Sequence, residues 1–360
     1  KIMTNLAEKL DFSGHTISCG IDVHLKSWTV SLYLGKQYLK SFVQSPPSVE
    51  GLWNFLLTNY PEAHYECAYE SGFCGFWIQR AFAARSISCI AVNAADVPRT
   101  DKGTKNKNDR NDSRRIAAAL QAGQLEGVYV PDPELEADRQ LVRLNERYSN
   151  DLTRSKNRIK GLLRLMGIEI PQKFGKANWS GAFVKWLKAV SCGEPSIRAV
   201  LDRQLSIMEA IKVQKLDTMR EMRKLMGKVR YRTISGLLCS IPGIGPVTAA
   251  VLIVEIGDIS RFEKFDRLNS FVGLCPMQHS TGENDRKGSI TTRQHRRLRY
   301  ILVEAAWVAV RTDPALTLCY SRWTARVGSR RAIIKIARKL LSRIRHVWMG
   351  GAPYVTGLVK

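Results

Sequence analysis

Two aspartates, Asp109 and Asp112, stand three residues apart in the basic segment KNKNDRNDSRRIAAA at 105–119. The alanine-rich run behind them predicts a helix, and a helix sets residues i and i+3 on one face. Two carboxylates on one face repel unless a cation lies between them, so the pair points to a divalent metal. Acids are also favoured at helix starts, where the dipole is positive, and the pair alone does not choose. Two more acids close predicted strands: Asp22 in ISCGIDVH at 17–24 and Glu70 in AHYECAYE at 63–70. Singly, each is better read as a turn or strand-end residue. Together, beside a basic loop, they suggest four carboxylates converging beyond strand ends, where loops meet. Such a set would hold two Mg²⁺ ions through oxygen ligands, or Mn²⁺ in their place. Metals about 3.5–4 Å apart activate an attacking oxygen and stabilise a leaving oxygen at a phosphodiester.

A second candidate centre is PMQHSTGE at 276–283, where Ser280 and Thr281 lie beside His279 and Gly282. Arg286, Lys287, Arg293, Arg296, Arg297 and Arg299 follow it. A serine in a loop ringed by arginines suits attack on a phosphodiester with a covalent phosphoserine link, the arginines meeting the developing charge. The residues alone favour the plainer reading, a phosphate-binding loop. The turn IPGIG at 241–245 reads as the hairpin of a helix-hairpin-helix. Its Gly243 and Gly245 let backbone approach closely, and the amides near Val247 and Thr248 would hold a phosphate.

The elements that must carry these residues follow from periodicity. Strands are expected at 17–24, 27–33, 37–43, 63–70 and 86–92. Helices are expected at 49–57, with Ser48 as N-cap, and at 76–84. The order β-β-β-α-β-α-β-α predicts a mixed sheet with helices, and 93–108 reads as a basic loop before the aspartate pair. Beyond a linker at 127–133, two long helices at 134–166 and 195–228 carry apolar seams. They suggest an antiparallel, coiled-coil-like arm or a dimerisation element. A helix running into a Gly-Leu turn is expected over 261–275, and a buried helix at 298–310. A basic amphipathic helix is expected at 329–348, with one face in the core and the other toward nucleic acid or solvent. The fold class is therefore α/β plus all-α, in domains at 17–128, 134–230 and 231–350.

Composition limits the partner. The 360 residues hold 56 Lys and Arg against 32 Asp and Glu, a formal net charge of +24. That excess implies a polyanion, and nucleic acid first, since each cation set on a phosphate releases counterions. No apolar run reaches membrane-spanning length, and 1–16 lack a signal-peptide core. The eight cysteines form no CxxC pair. Reduced thiols in a cytosolic protein are expected, with neither a zinc site nor a disulfide framework.

Five blocks in order carry a resemblance: Gly20-Ile21-Asp22-Val23; Tyr69-Glu70-Ser71-Gly72; Asn108-Asp109-Arg110-Asn111-Asp112; Ile241-Pro242-Gly243-Ile244-Gly245; and Gly273-Leu274-Cys275-Pro276 leading to Ser280-Thr281-Gly282. The last block continues through Gly288-Ser289-Ile290-Thr291 and Leu298-Arg299 to Ala305-Ala306. The chain resembles, over nearly its whole length, the DEDD insertion-sequence transposases of the IS110 family, the bridge-RNA-guided recombinases. The resemblance implies a RuvC-like (RNase H-like) N-terminal domain and a serine-bearing C-terminal domain. It implies that Asp22, Glu70, Asp109 and Asp112 form the metal-binding tetrad, and that a serine of the 280s loop is the nucleophile. It also implies donor and target double-stranded DNA, a non-coding guide RNA, and a homo-oligomer, dimer to tetramer. In that tetramer the acidic site of one subunit meets the serine of another. Lys105, Lys107, Arg110, Arg114 and Arg115 then look like phosphate contacts beside the metals.

Many members place the serine directly before the glycine. Here Thr281 fills that slot and Ser280 lies one earlier. A primary alcohol is less hindered, so Ser280 is the expected nucleophile and Thr281 the alternative. The family's Lys-x-Gly is replaced by Thr292-Arg293-Gln294-His295. Two rival functions remain on the residues: a metal-dependent, structure-specific endonuclease in which water attacks, and a non-catalytic nucleic-acid scaffold that leaves the four acids without a role. Action in a bacterial cytoplasm, on nucleoid DNA, is expected.

Overall fold

The computed structural model describes residues 11–98, 109–175, 179–281, 284–291 and 293–356; the side chains of 109–110, 277–281 and 284–289 lie outside that description. The chain divides into two compact units, Lys1–Val130 and Pro131–Lys360.

In the first unit β1 (Thr16–Val23), β2 (Trp28–Leu34) and β3 (Gln37–Gln44) form an antiparallel meander. β4 (His64–Glu70) and β5 (Ser88–Val92) add parallel strands on the other side of β1, giving the order β3-β2-β1-β4-β5. This mixed sheet is the one expected for a RuvC-like domain. Helices α1 (Val49–Asn59), α2 (Trp77–Ala83) and α3 (Asp109–Gln121) complete the unit. Ser48 caps α1, its hydroxyl accepting from the Gly51 N–H at 3.1 Å.

Side chains alternate across a strand, and the two faces of β1 differ accordingly. Ile17, Cys19 and Ile21 join Leu52 and Leu56 of α1 and Ile78 and Phe82 of α2 in one core. The other face is small: Ser18 and Gly20 on β1, Ser31 on β2, Ala68 on β4. There α3 presses onto the sheet. A Cβ on Gly20 would lie 2.3 Å from both the Ser113 carbonyl oxygen and the Ala117 amide nitrogen. The Ser31 and Ser113 hydroxyls share a buried hydrogen bond of 2.7 Å.

In the second unit α4 (Pro133–Leu165) and α6 (Pro195–Gly227) run side by side. Ile159 and Leu163 near the end of α4 pack with Leu201 and Leu205 near the start of α6. At the opposite end, beyond α6, Lys228 and Arg230 pair with Glu134 and Asp132 of the α4 start. The helices are therefore antiparallel, as the seams predict. Helix α5 (Gly181–Ala189) closes the far end with stacked Phe183 and Trp186. Then follow α7 (Val229–Cys239), α8 (Pro246–Ile256), α9 (Phe265–Val272), β6 (Pro276–Thr281), β7 (Asn284–Ile290), α10 (Arg296–Thr312), α11 (Pro314–Val327) and α12 (Ser329–Gly350).

Three elements differ from expectation. The helix expected from 261 begins only at Phe265 as α9, while its end is the expected Gly-Leu turn: Gly273 (φ +82°) is left-handed, and the Gly273 and Leu274 amides both donate to the Asn269 carbonyl. The polar loop at 276–283 is part of an antiparallel hairpin, with Thr281 opposite Asn284. Its strands lack apolar alternation, which hides them. The helix expected to be buried at 298–310 exposes Tyr300 and Trp307.

Gly20→Ala should lower stability by about 1–3 kcal/mol, the cost of overpacking against backbone that cannot retreat. Gly72→Ala, where an added Cβ meets nothing within 4 Å, should leave it unchanged. Denaturant unfolding of the full chain checks both.

Candidate active site

Asp22 is the next-to-last residue of β1, and Glu70 is the last of β4. The strands are parallel neighbours, with Gly20 opposite Ala68 and Ile21 opposite Tyr69. Two residues beyond Gly20 and Ala68, Asp22 and Glu70 thus leave adjoining strand ends on the face that α3 covers. α3 is fixed over Gly20 through Ser113. Asp112 directly precedes that contact, and Asp109 begins the helix one turn earlier.

The described carboxylates have chain partners. Asp22 Oδ2 is 3.3 Å from His24 Nε2, with one fifth of its side chain exposed. Asp112 ion-pairs with Arg115 one turn along α3. Glu70 is half-buried. Arg114 is drawn toward the sheet: it donates to the Tyr38 hydroxyl at 2.7 Å and the Ser41 hydroxyl at 3.3 Å and stacks on the Tyr38 ring at 4.3 Å. Among the described residues no three acids, histidines or cysteines are grouped to hold a metal. The carboxylate of Asp109 and the side chain of Arg110 lie outside the described set, as do Lys105 and Lys107 entirely. Paired carboxylates at adjoining strand ends nonetheless have the hard oxygen chemistry that Mg²⁺ takes.

The hairpin with the candidate nucleophile is pinned at its base. Ser280 lies opposite Asp285 in the β6–β7 register; its side chain and those of Thr281 and Arg286 are outside the description. Thr291 N–H donates to the Cys275 carbonyl at 3.0 Å, and Arg299 donates to the Thr291 carbonyl at 2.6 and 3.1 Å. His295 caps α10, its Nδ1 accepting from the Leu298 N–H at 3.3 Å, while its Nε2 reaches Glu255 Oε2 at 3.3 Å.

Glu255 anchors the second unit. Its side chain is 1% exposed and receives a two-pronged Arg143 guanidinium at 2.8 and 2.7 Å. Arg297 adds a second guanidinium at 3.3 Å and also pairs with Glu146, and Arg139 donates to the Val254 carbonyl. Burial alone would raise the Glu255 carboxyl, but the hydrogen bonds from Arg143 and His295 outweigh it and hold it well below the carboxylate range. The cluster ties α4, α8 and α10 together. The sequence carried one signal for it: Glu255 is the only charge in the apolar run PVTAAVLIVEI. Two arginines placed among the nucleic-acid candidates, Arg297 and Arg299, are engaged here internally, whereas Arg293 and Arg296 are exposed.

The IPGIG turn joins α7 to α8 as a helix-hairpin-helix requires. Gly243 (φ +87°) sits so close to α10 that a Cβ would lie 2.3 Å from the Ala305 carbonyl oxygen. Its observed role is packing. Gly245 caps α8 just before Pro246, with nothing within 4 Å of an added Cβ.

Residues 19–168 match a DEDD-type model described as a transposase, and 235–321 match the model of the transposase IS116/IS110/IS902 family. The first stretch holds all four acids, and the second holds the IPGIG turn and Ser280. The putative transposase y4qE of Sinorhizobium fredii is 28% identical over 247 residues, 68% of this chain and 58% of the relative. The transposase for insertion sequence element IS1111A of Coxiella burnetii is 26% identical over 242 residues, 65% of this chain and 64% of the relative. The match thus spans under two thirds of either relative. A pilin gene-inverting protein of Moraxella lacunata is 36% identical over 118 residues, 32% of this chain and 36% of that protein.

Because its carboxyl is depressed, Glu255 adds stability that is complete above its ordinary value of 4.5 and is lost as pH falls from there. Acid unfolding followed by circular dichroism should show this loss. Glu255→Gln should flatten that acid limb and lower neutral stability by about 3–5 kcal/mol, the cost of breaking an ion pair whose carboxylate is buried.

Proposed function

Because the chain belongs to the IS110 family of transposases, we propose that it is a DNA recombinase that excises and integrates an insertion element through a covalent serine–DNA intermediate. The Ser280 oxygen bonds to phosphorus as the bond to the leaving deoxyribose oxygen breaks. A tetrad carboxylate takes the serine proton, and the leaving oxygen is protonated to a free hydroxyl. Arg286, Arg293 and Arg296 meet the charge that develops on the phosphoryl oxygens.

The observation that carries this reading is the β1–β4 register. Asp22 and Glu70 each stand one residue beyond the paired Ile21 and Tyr69, and α3, which begins at Asp109 and carries Asp112, packs over Gly20 of the same strand. These four residues would hold Mg²⁺, two ions in the fullest arrangement, with Mn²⁺ able to replace it. When bound, the metal supplies Lewis-acid polarisation of the phosphoryl oxygens. Lys105, Lys107 and Arg110 would lie along the DNA backbone beside them. The resemblance supports the partners: donor and target double-stranded DNA, a non-coding guide RNA, and a dimer-to-tetramer in which the acids of one subunit serve the serine of another. The setting is a bacterial cytoplasm. Among the described residues no helix is long and apolar enough to cross a membrane.

One observation favours a second reading. All four acids lie within one compact unit, which would suffice for a metal-dependent nuclease using water. The two differ in their products, since water leaves free 3′-hydroxyl and 5′-phosphate ends. Incubated with donor and target DNA and any RNA that co-purifies from its own locus, the parent protein should form covalent adducts visible on denaturing gels. Ser280→Ala should abolish them and Thr281→Ala should not; the reverse pattern moves the nucleophile by one residue. Clean ends with no adduct in any protein support the nuclease. Asp22→Asn or Glu70→Gln should slow cleavage by about a hundredfold or more.

A further inference from the structure

From residue 315 to 360 the chain carries ten Lys and Arg and not one Asp or Glu. This stretch contains most of α11 and all of α12. Two of its cations are structural. Arg343 meets the buried Asp313 at 2.8 Å, and Arg345 donates to the carbonyls of Phe262 and Glu263 at 3.1 and 2.9 Å. The outward ones include Arg326 on α11 and Arg330, Arg331, Lys335 and Lys339 on α12, all exposed. Arg338 faces an acid, Asp266, at 3.2 Å, and that acid is itself 84% exposed. The opposite side of α12 is fixed in the core by Ile333, Ile336, Leu340 and Ile344. The charged side is thus held on a rigid support.

This arrangement works against the helix that bears it. α12 opens with Ser329-Arg330-Arg331, has no acid in its first turn, and has no side-chain cap. Cations there oppose the positive end of the helix dipole. Arg331, Lys335 and Lys339 follow at successive four-residue steps, the spacing at which like charges repel. A row of cations about 6 Å apart on a straight axis needs a partner with a continuous line of negative charge. Duplex DNA offers one phosphate per roughly 1.7 Å of its axis. Lys335 and Lys339 lie over the Trp323 ring at 5.5 and 5.8 Å, so that ring is already occupied as a stacking platform for an unpaired base.

We propose that the outer face of α11 and α12 binds the backbone of duplex DNA without regard to sequence, gripping it away from the phosphate that reacts. The proposal rests on DNA being the substrate, and not on how the DNA is cut. α12 lies outside both segments that match the transposase models.

The full-length chain and its R326Q/R330Q/R331Q/K335Q variant are compared by fluorescence anisotropy on a 30-bp DNA duplex over a salt series. Four lost phosphate contacts should reduce the slope of log affinity against log salt by roughly 3.6 and weaken binding more than about tenfold at low salt. The pair variant R330Q/R331Q should lose about half as much slope. It should melt no lower than the parent, because it removes charges that oppose the dipole. Ser280→Ala, read alongside, should bind DNA as the parent does while forming no adduct. Adducts persisting there would count against the serine mechanism alone. Unchanged DNA affinity and slope in both glutamine variants overturns the proposal, whatever happens to a duplex RNA probe run in parallel.

Discussion

A carboxylate stays ionised inside a protein only where cations and hydrogen-bond donors replace its lost water, and Glu255 is held on that condition. Arg143 of α4 and His295 and Arg297 of the α10 start all meet it, so one buried charge joins three helices distant in sequence. Removing either arginine leaves the carboxylate incompletely compensated in a poorly solvated place. The β6–β7 hairpin depends on the same cluster. His295 and the Arg299–Thr291 contact fix the segment by which that hairpin returns to the helices. The position of the candidate nucleophile is therefore tied, through backbone, to a salt-bridge network that touches no substrate.

The first unit solves a similar problem by subtraction. α3, which begins at Asp109 and carries Asp112, comes close to the sheet, and Gly20 allows that by having no side chain. Ser31 and Ser113 seal the approach with a short hydrogen bond. Asp22 lies against His24 and Asp112 against Arg115, each carboxylate with a partner close in sequence.

The net charge of +24 divides into two populations that composition cannot separate. Arg114, Arg143, Arg297, Arg299 and Arg343 act inward, on a tyrosine, on buried acids and on a carbonyl. The cations of the outer α12 face act outward, at electrostatic expense to their own helix. Only the second kind speaks of a partner. Arginine-rich sequence near a candidate site is thus weak ground for assigning phosphate contacts, because a guanidinium serves equally well as a buried clamp.

Although α5 and α11 drew no expectation from it, the sequence by itself determined the element order of the first unit, the mixed sheet, the two long helices and the strand ends and helix start that carry the acids. Each of these follows from local periodicity, capping or chain order, which any stretch displays without reference to the rest. It did not reveal the β6–β7 hairpin, whose polar strands lack alternation, or the exposed side of α10, whose tryptophan and tyrosine read as core. Tertiary structure alone decided that Asp22 and Glu70 adjoin, since strand neighbours are chosen by packing and not by sequence distance. It alone decided that Gly20 is a contact, and that Glu255 is a hub and not a stray charge on an apolar helix. Those are long-range matters: an atom's clearance, or a charge's compensation, exists only once segments far apart in the chain have met.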